Sequence, residues 1–298
     1  MSVIMSVMMV TEVMAAGKGS TGWQIFRRPK SSKPDSITAV ASIRGDLSGV
    51  FYNPGTLGTI TMSEIFFLTE MGMAEDTFQG MIYGMPMGNG GVAVSYIMYD
   101  AGMTTLYWID GGAEQEEEVS LQQDTLAILS YGFELSRSLS MGISLKYATM
   151  NIAEQTPDTY AVCGDIGFIY TQGIQGFSLS LAGQNLGTST EFLESEEELP
   201  QCAWAGISYT MPLGTAKFIG LGVDAGYLLR EERMLPGVGL EYGVGAFSLN
   251  AGYYALKADE AGLQVGFAYQ SSFMEVGYAY LPATFLNPVH RFNLSFLW

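Results

Sequence analysis

The sequence is short of several things that mark the common classes of protein. Beyond its first turns it has no stretch of about 18 uninterrupted apolar residues, the length a helix needs to cross a bilayer. A bundle of membrane helices is therefore excluded. Charge is scarce, at 14% of the 298 residues, where soluble domains usually carry about 25%. Cations are scarcer still: 13 Lys and Arg stand against 30 Asp and Glu, for a net charge of −17. Nucleic acid needs basic patches to meet its phosphates, so that class of partner is excluded too. Two cysteines, Cys163 and Cys202, and the single histidine His290 are too few for a zinc centre. The cysteines fall in separate strand-like runs that are not neighbours, which argues against a disulfide and for small buried or lipid-facing side chains. His290 has no Ser, Cys or carboxylate at catalytic spacing. The paired glutamates are too close together for glycosidase work. Neither an enzyme, a lipase included, nor a cofactor or metal is indicated.

What is present points elsewhere. Gly (37), Tyr (17) and Phe (16) are abundant, and the mean hydropathy is slightly positive at +0.20. From about residue 62 onward, large apolar residues alternate with small or polar ones. In Phe177–Ala182 (FSLSLA), Phe177, Leu179 and Leu181 share one face and Ser178, Ser180 and Ala182 the other. LQVGFAYQ (263–270), MGISLKY (141–147) and MEVGYAY (274–280) behave alike. A two-residue beat with one greasy and one small, polar face predicts strands closed into a tube, lipid outside and a hydrophilic lumen inside. A soluble sandwich would carry more Lys and Glu on its outer face.

The pattern predicts an all-β fold, a transmembrane antiparallel β-barrel of about 14 strands with an N-terminal plug-like segment. The strands are placed near 62–73, 76–86, 90–100, 121–135, 138–152, 160–171, 174–185, 201–212, 216–229, 235–243, 246–257, 260–270, 272–282 and 288–298. The connections alternate between short ones, such as MGNGG and SRS, and longer or more polar ones, such as 101–120 and 186–200. Outer-membrane barrels have this asymmetry, with the short turns in the periplasm. On that ground TTLYWI (104–109) is assigned to a long outer loop, because a further strand would break the even number. The chain ends on FNLSFLW (292–298), with Phe292, Leu294, Phe296 and Trp298 on one face. This resembles the terminal strand that barrel assembly machinery reads.

Three segments follow. Residues 1–16 (MSVIMSVMMVTEVMAA) read as a signal peptide, with Val13 and Ala15 at the −3 and −1 positions, although no Lys or Arg precedes Lys18. Residues 17–60 hold six of the basic residues (Lys18, Arg27, Arg28, Lys30, Lys33 and Arg44) and alternate weakly, as a luminal or periplasmic plug would. Residues 61–298 are the barrel.

A set of motifs runs in order through residues 38–298: RGDLSGVFYNPGTLG (44–58), MGISLKY, DIGFIY (165–170), QNLG (184–187), Leu199–Pro200, PGVGLEY (236–242) and HRFNL (290–294). Together they resemble the PorV/PorQ-type outer-membrane proteins, relatives of the FadL-like hydrophobe transporters. Asn53-Pro54-Gly55 departs from the usual Asn-Pro-Ala-Gly, and FRRPKSSKPDS (26–36) replaces a glycine-rich stretch. The resemblance implies a non-enzymatic barrel in the bacterial outer membrane with an N-terminal segment inside it. It implies either passage of hydrophobic small molecules or partnership with secreted and secretion-system proteins.

Candidate site residues come from the alternation. Lys146, Asp165, Asp224, Glu241, Glu275 and Arg291 fall on the inward face, since a Lys or Arg facing lipid at mid-depth costs roughly 2–4 kcal/mol. Lys146 and Asp165 lie on consecutive strands and are placed to pair. These charges either guide a ligand and anchor the basic N-terminal segment, or neutralise one another and hold the barrel's shape. Asn53, Pro54 and Gly55 read first as a rigid turn, with Gly supplying φ > 0, and by resemblance as part of a luminal hatch. The glutamate runs at 114–118 and 194–198 are solvated loops or a surface for divalent cations or a basic partner. The 18 methionines are soft apolar surface, for lipid contact first and for a ligand path second.

Overall fold

The computed structural model describes residues 22–27, 31–32, 46–72, 76–110, 113–152, 159–171, 176–189, 191–192, 195–196, 198–254, 262–282 and 287–298. The signal-peptide assignment, and Arg28, Lys30, Lys33 and Arg44, lie outside them.

Three short helical pieces come first: α1 (Gln24–Arg27) and two 3-10 turns, Leu47–Phe51 and Pro54–Thr59. The strands follow as β1 (Glu64–Met71), β2 (Thr77–Met87), β3 (Gly90–Asp100), β4 (Met103–Asp110), β5 (Ala113–Ser120), β6 (Gln122–Ser136), β7 (Leu139–Ile152), β8 (Thr159–Tyr170), β9 (Phe177–Ser189), β10 (Glu191–Phe192), β11 (Ser195–Glu196), β12 (Cys202–Pro212), β13 (Lys217–Leu228), β14 (Arg233–Val244), β15 (Phe247–Tyr254), β16 (Gly262–Gln270), β17 (Met274–Leu281) and β18 (Val289–Leu297).

All of these except the hairpins β4–β5 and β10–β11 form one closed barrel, each strand antiparallel to its sequence neighbour. Closure is made by the first strand on the last, with Glu64 opposite Leu297 and Met71 opposite His290. A closed barrel leaves no open sheet edge, so every spanning backbone group is satisfied within the wall. The 14 barrel strands coincide with the 14 that the alternation predicts. TTLYWI is a correction. It is not loop but strand β4, which pairs with β5 over Met103–Ser120 as a separate hairpin outside the barrel ladder.

The outside carries the large apolar residues. Val94, Leu145, Val223 and Leu249 are all more than half exposed, which water would penalise and hydrocarbon does not. Aromatic pairs such as Tyr83–Trp298 and Tyr147–Tyr160 lie toward opposite ends of the strands, where the girdles of such barrels sit. No helix among the described residues is long and apolar enough to cross a membrane. The crossing is made by strands.

Short turns at 88–89, 137–138 and 245–246 mark one end of the tube. The opposite end carries the long connections, including β4–β5. Both cysteines are free and buried on the luminal face rather than facing lipid.

The lumen and its N-terminal segment as the candidate functional site

The inner wall of β3, β6, β7 and β8 is cleared of side chains where the N-terminal segment crosses it. A Cβ added at Gly132 would come within 2.8 Å of Leu57 Cβ and 2.7 Å of the Pro54 carbonyl. One at Gly142 would overlap the Pro54 carbonyl, and one at Gly167 the Asn53 amide. Inward glycines thus form a smooth track, the close backbone approach that only glycine allows. Along it, Leu47, Val50, Phe51, Leu57 and Ile60 join the wall's Phe66, Ile82, Ile97 and Leu126 in one apolar cluster.

The segment is shaped by two caps. Asp46 accepts from Ser48 N at 2.8 Å, and Asn53 Oδ1 from Gly55 N at 2.9 Å, the side-chain-to-backbone bonds that start helical turns. Asn53-Pro54-Gly55 is therefore the start of a 3-10 turn. The expected left-handed glycine is corrected: Gly55 is not among the positive-φ glycines. Its missing Cβ matters because Gly167 O would lie 3.2 Å away.

Side-chain bonds fasten the segment to the wall. Asn53 Nδ2 donates to Phe168 O (3.2 Å) and Leu181 O (3.3 Å), bridging β8 and β9. Gln184 Nε2 donates to Tyr52 O at 2.7 Å, and its own carbonyl accepts from Trp204 Nε1 at 3.1 Å. At the long-loop end, Gln122 Nε2 donates to Gly22 O at 3.1 Å, and Arg27 pairs with Glu231. Residues 22–27 thus lie near the long-loop end, where Trp23 and Ile25 are fully buried, and residue 60 lies at the short-turn end.

A bulge in β9 brings Asn185 onto the luminal face beside Gln184, which already continues the inward phase of Ser180 and Ala182. The register against β8 shifts between Gly164 and Ile166, so that Asp165 faces both Gln184 and Asn185. An extra residue lets two consecutive side chains enter the same face, and Asn185 takes the left-handed conformation, φ 57°, that asparagine tolerates. Asn185 N donates to Asp165 Oδ1 at 2.8 Å, and Lys146 Nζ donates to Asn185 Oδ1 at 2.9 Å. Lys146 and Asp165 pair at 2.6 Å with almost no solvent exposure. Lys146 also lies 5.7 Å above the Phe26 ring, so the cluster touches the N-terminal segment.

The remaining predicted charges are dispersed. Arg291 Nε donates to Glu70 at 2.7 Å, directly across the β1–β18 closure. Asp224 and Glu241 face inward from β13 and β14, and Glu275 from β17. The structure therefore gathers Lys146 with Asp165, and Arg291 with a partner missed in the sequence, but not all six charges. Glu70 could have been found by the alternation of FFLTEM. So could Gln184, which continues the inward phase of Ser180 and Ala182; Asn185 could not, because the bulge breaks that alternation. His290 lies beside Tyr278, its Nδ1 2.9 Å from the phenol oxygen. It is an interfacial aromatic contact.

Past the bulge, β9 pairs with β8 but no longer with β12, whose ladder stops at Gln184–Cys202. Residues 198–201 cover the gap: Asn185 Nδ2 donates to Pro200 O at 3.0 Å and Gln201 Nε2 to Gly187 O at 3.2 Å. A half-open cavity of about 280 Å³ sits there, lined by Thr188, Ser189, Leu199, Gln201, Leu229 and Arg230. Arg230 and Glu198 pair at 3.1 Å on its rim.

Closed wall, apolar exterior and occupied lumen define the molecule as a 14-stranded transmembrane barrel of the outer-membrane type. Among solved structures it is similar to the toluene transporter TbuX of Ralstonia pickettii (12% identity over 90% of this chain and 97% of that one, TM-score 0.58). The toluene transporter TodX of Pseudomonas putida is similar as well (10% identity, 88% and 96% covered, TM-score 0.55). So is the monoaromatic hydrocarbon channel CymD (13% identity, 90% and 96% covered, TM-score 0.52). At such identities the likeness is one of fold. No family model and no curated protein matches the sequence.

Proposed function

We propose that this chain is a passive transporter of hydrophobic small molecules in the bacterial outer membrane, of the FadL-like kind. The observation that carries the reading is the manner in which the lumen is filled. Residues 46–60 rest on a glycine track and are held to the wall by side-chain bonds, those of Asn53 and Gln184 among them, and by no strand ladder among the described residues. A filling held this way can shift while the wall stays hydrogen-bonded, which is what a hatch requires. The cavity beside β9, part apolar and part polar, gives a solute a first foothold at the outer end. The likeness to channels for toluene and other monoaromatics supports the same reading. The test is uptake of toluene and a long-chain fatty acid into liposomes bearing the full chain or a variant lacking residues 17–60. Uptake above protein-free liposomes, altered by the deletion, supports it. Flux indistinguishable from protein-free vesicles rejects it.

The PorV/PorQ resemblance and the exposed acids of β5 favour a second role, docking of secreted or secretion-system proteins. Glu114, Glu116, Glu117 and Glu118 are exposed on the hairpin outside the barrel. Neutralising them to Gln should lower recovery of secreted partners from the native envelope. Unchanged recovery rejects this role.

A further inference from the structure

The lumen has a second wall, and its chemistry differs from that of the glycine track beneath residues 46–60. On β15 and β16 two amide side chains, Asn250 and Gln264, face inward at 5% and 1% exposure. Among the described residues, neither amide atom of Gln264 has a hydrogen-bond partner, and neither does Oδ1 of Asn250. The register explains why. The residue directly across the β15–β16 pair from Gln264 is Gly252, and from Asn250 it is Gly266. Across the β15–β16 pair each amide thus meets bare backbone, while on the β14 side Asn250 lies opposite the buried carboxylate Glu241. The two lie diagonally on adjacent strands, roughly 7–8 Å apart, within reach of one small polar group. On the other side of Gln264 the luminal face turns apolar: Ala279, Leu281 and Val289 form a buried cluster on β17 and β18. Leu281 is one step beyond the Val265–Tyr280 pair, level with Gln264.

Buried amides are normally bonded, and one left unbonded is destabilising unless something answers it. Polar amides next to an apolar shelf, with glycines leaving room between, match a molecule with one polar end and one apolar body. Amides offer donor and acceptor but no cation, and the Glu241 carboxylate opposite Asn250 disfavours an anion, so the polar end they suit is a neutral donor such as a hydroxyl. We propose that Asn250 and Gln264 form a luminal subsite for the neutral hydrogen-bonding head, such as a hydroxyl, of an otherwise hydrophobic solute whose body lies on Ala279, Leu281 and Val289. This inference rests on the transporter reading and narrows its substrates from plain hydrocarbons to amphiphiles. Both amides are buried in this structure, so the subsite opens only as the groups packed over them shift. An unanswered amide favours that shift when a solute supplies the missing bond.

The test compares toluene with p-cresol, which adds one hydroxyl to the same ring. Binding to the detergent-solubilised full chain is measured by equilibrium dialysis, and flux is measured in liposomes. The variant is Asn250→Leu with Gln264→Met, whose thermal midpoint should hold or rise because it removes unanswered amides. The wild type should prefer p-cresol, and the variant should lose about three- to tenfold of that preference, the worth of one hydrogen bond, while toluene binding stays. An unchanged p-cresol-to-toluene binding ratio overturns the subsite. Absence of flux for both solutes overturns transport instead, and leaves the binding ratio to decide the subsite.

Discussion

Replacing Lys146 by Met tests the logic of the luminal charges most directly. Lys146 and Asp165 are 4% and 0% exposed and 2.6 Å apart. Without the ammonium, the Asp165 carboxylate keeps one described donor, Asn185 N at 2.8 Å, and no cation within the described residues. Removing one member of a buried pair costs about 3–5 kcal/mol, chiefly because the survivor stays charged and buried. Lys146 also lies over the Phe26 ring, a contact of about 0.5–2 kcal/mol that ties the wall to the N-terminal segment. Lys146→Met should therefore unfold at clearly lower urea in detergent micelles, followed by tryptophan fluorescence. The double variant Lys146→Met with Asp165→Asn removes the charge but leaves an oxygen to accept from Asn185, and should recover all but about 1–2 kcal/mol. A single variant that loses less than about 1 kcal/mol would refute the argument, as would a double variant no better than the single. Either result would mean that the pair is solvated and does not organise the bulge.

Other consequences can be checked in the same system. Asn53→Leu deletes the donors to Phe168 O and Leu181 O and the cap on Gly55 N. It should loosen residues 46–60 by about 1–3 kcal/mol, read as faster amide exchange there with the strands unchanged. Gly142→Val should leave the barrel assembled but raise solute leak, because its side chain would overlap Pro54; an intact seal would show that the track is not needed. Val223→Arg, on the lipid face, should cost roughly 2–4 kcal/mol in vesicle refolding, whereas Gly222→Ser on the luminal face should cost far less. Equal costs would mean the two faces are assigned the wrong way round.

The barrel was legible because a period of two survives any detail of packing. Val94, Leu145 and Val223 must meet lipid, and their neighbours must not, so strand identity and the inward set follow from the letters alone. The pairing of Lys146 with Asp165 was legible for the same reason. Glu70 was readable in principle, since it lies directly opposite Arg291. The bulge was not. The run FSLSLA alternates cleanly, but the extra residue at Gln184–Asn185 reverses the phase, so β9 was ended at residue 185 although it continues to Ser189. The fate of TTLYWI was lost for a related reason. Alternation identifies a strand but carries no information on which sheet takes it, and β4 pairs with β5 alone.

The bulge is also where the separate parts of the lumen meet. On its inner side Gln184 holds Tyr52 of the N-terminal segment. On its outer side Asn185 and Gly187 hold residues 200 and 201, which close the gap beside the cavity. Beneath it sits the buried Lys146–Asp165 pair, which cannot relax without leaving a charge stranded. A strand that kept its phase would send Gln184 and Asn185 to opposite faces, one into lipid. Gln184 continues the phase of Ala182, so Asn185 would be the one turned outward and the gap would lose its cover. One inserted residue thus places the luminal filling and the outer cavity on the same short piece of wall. Deleting Asn185, which restores the two-residue beat, removes the bond to Pro200 O but leaves Gln184 in phase with Ser180 and Ala182. It should open the cavity and speed amide exchange at residues 198–201, with residues 46–60 still held; equal loosening of both segments would refute this division.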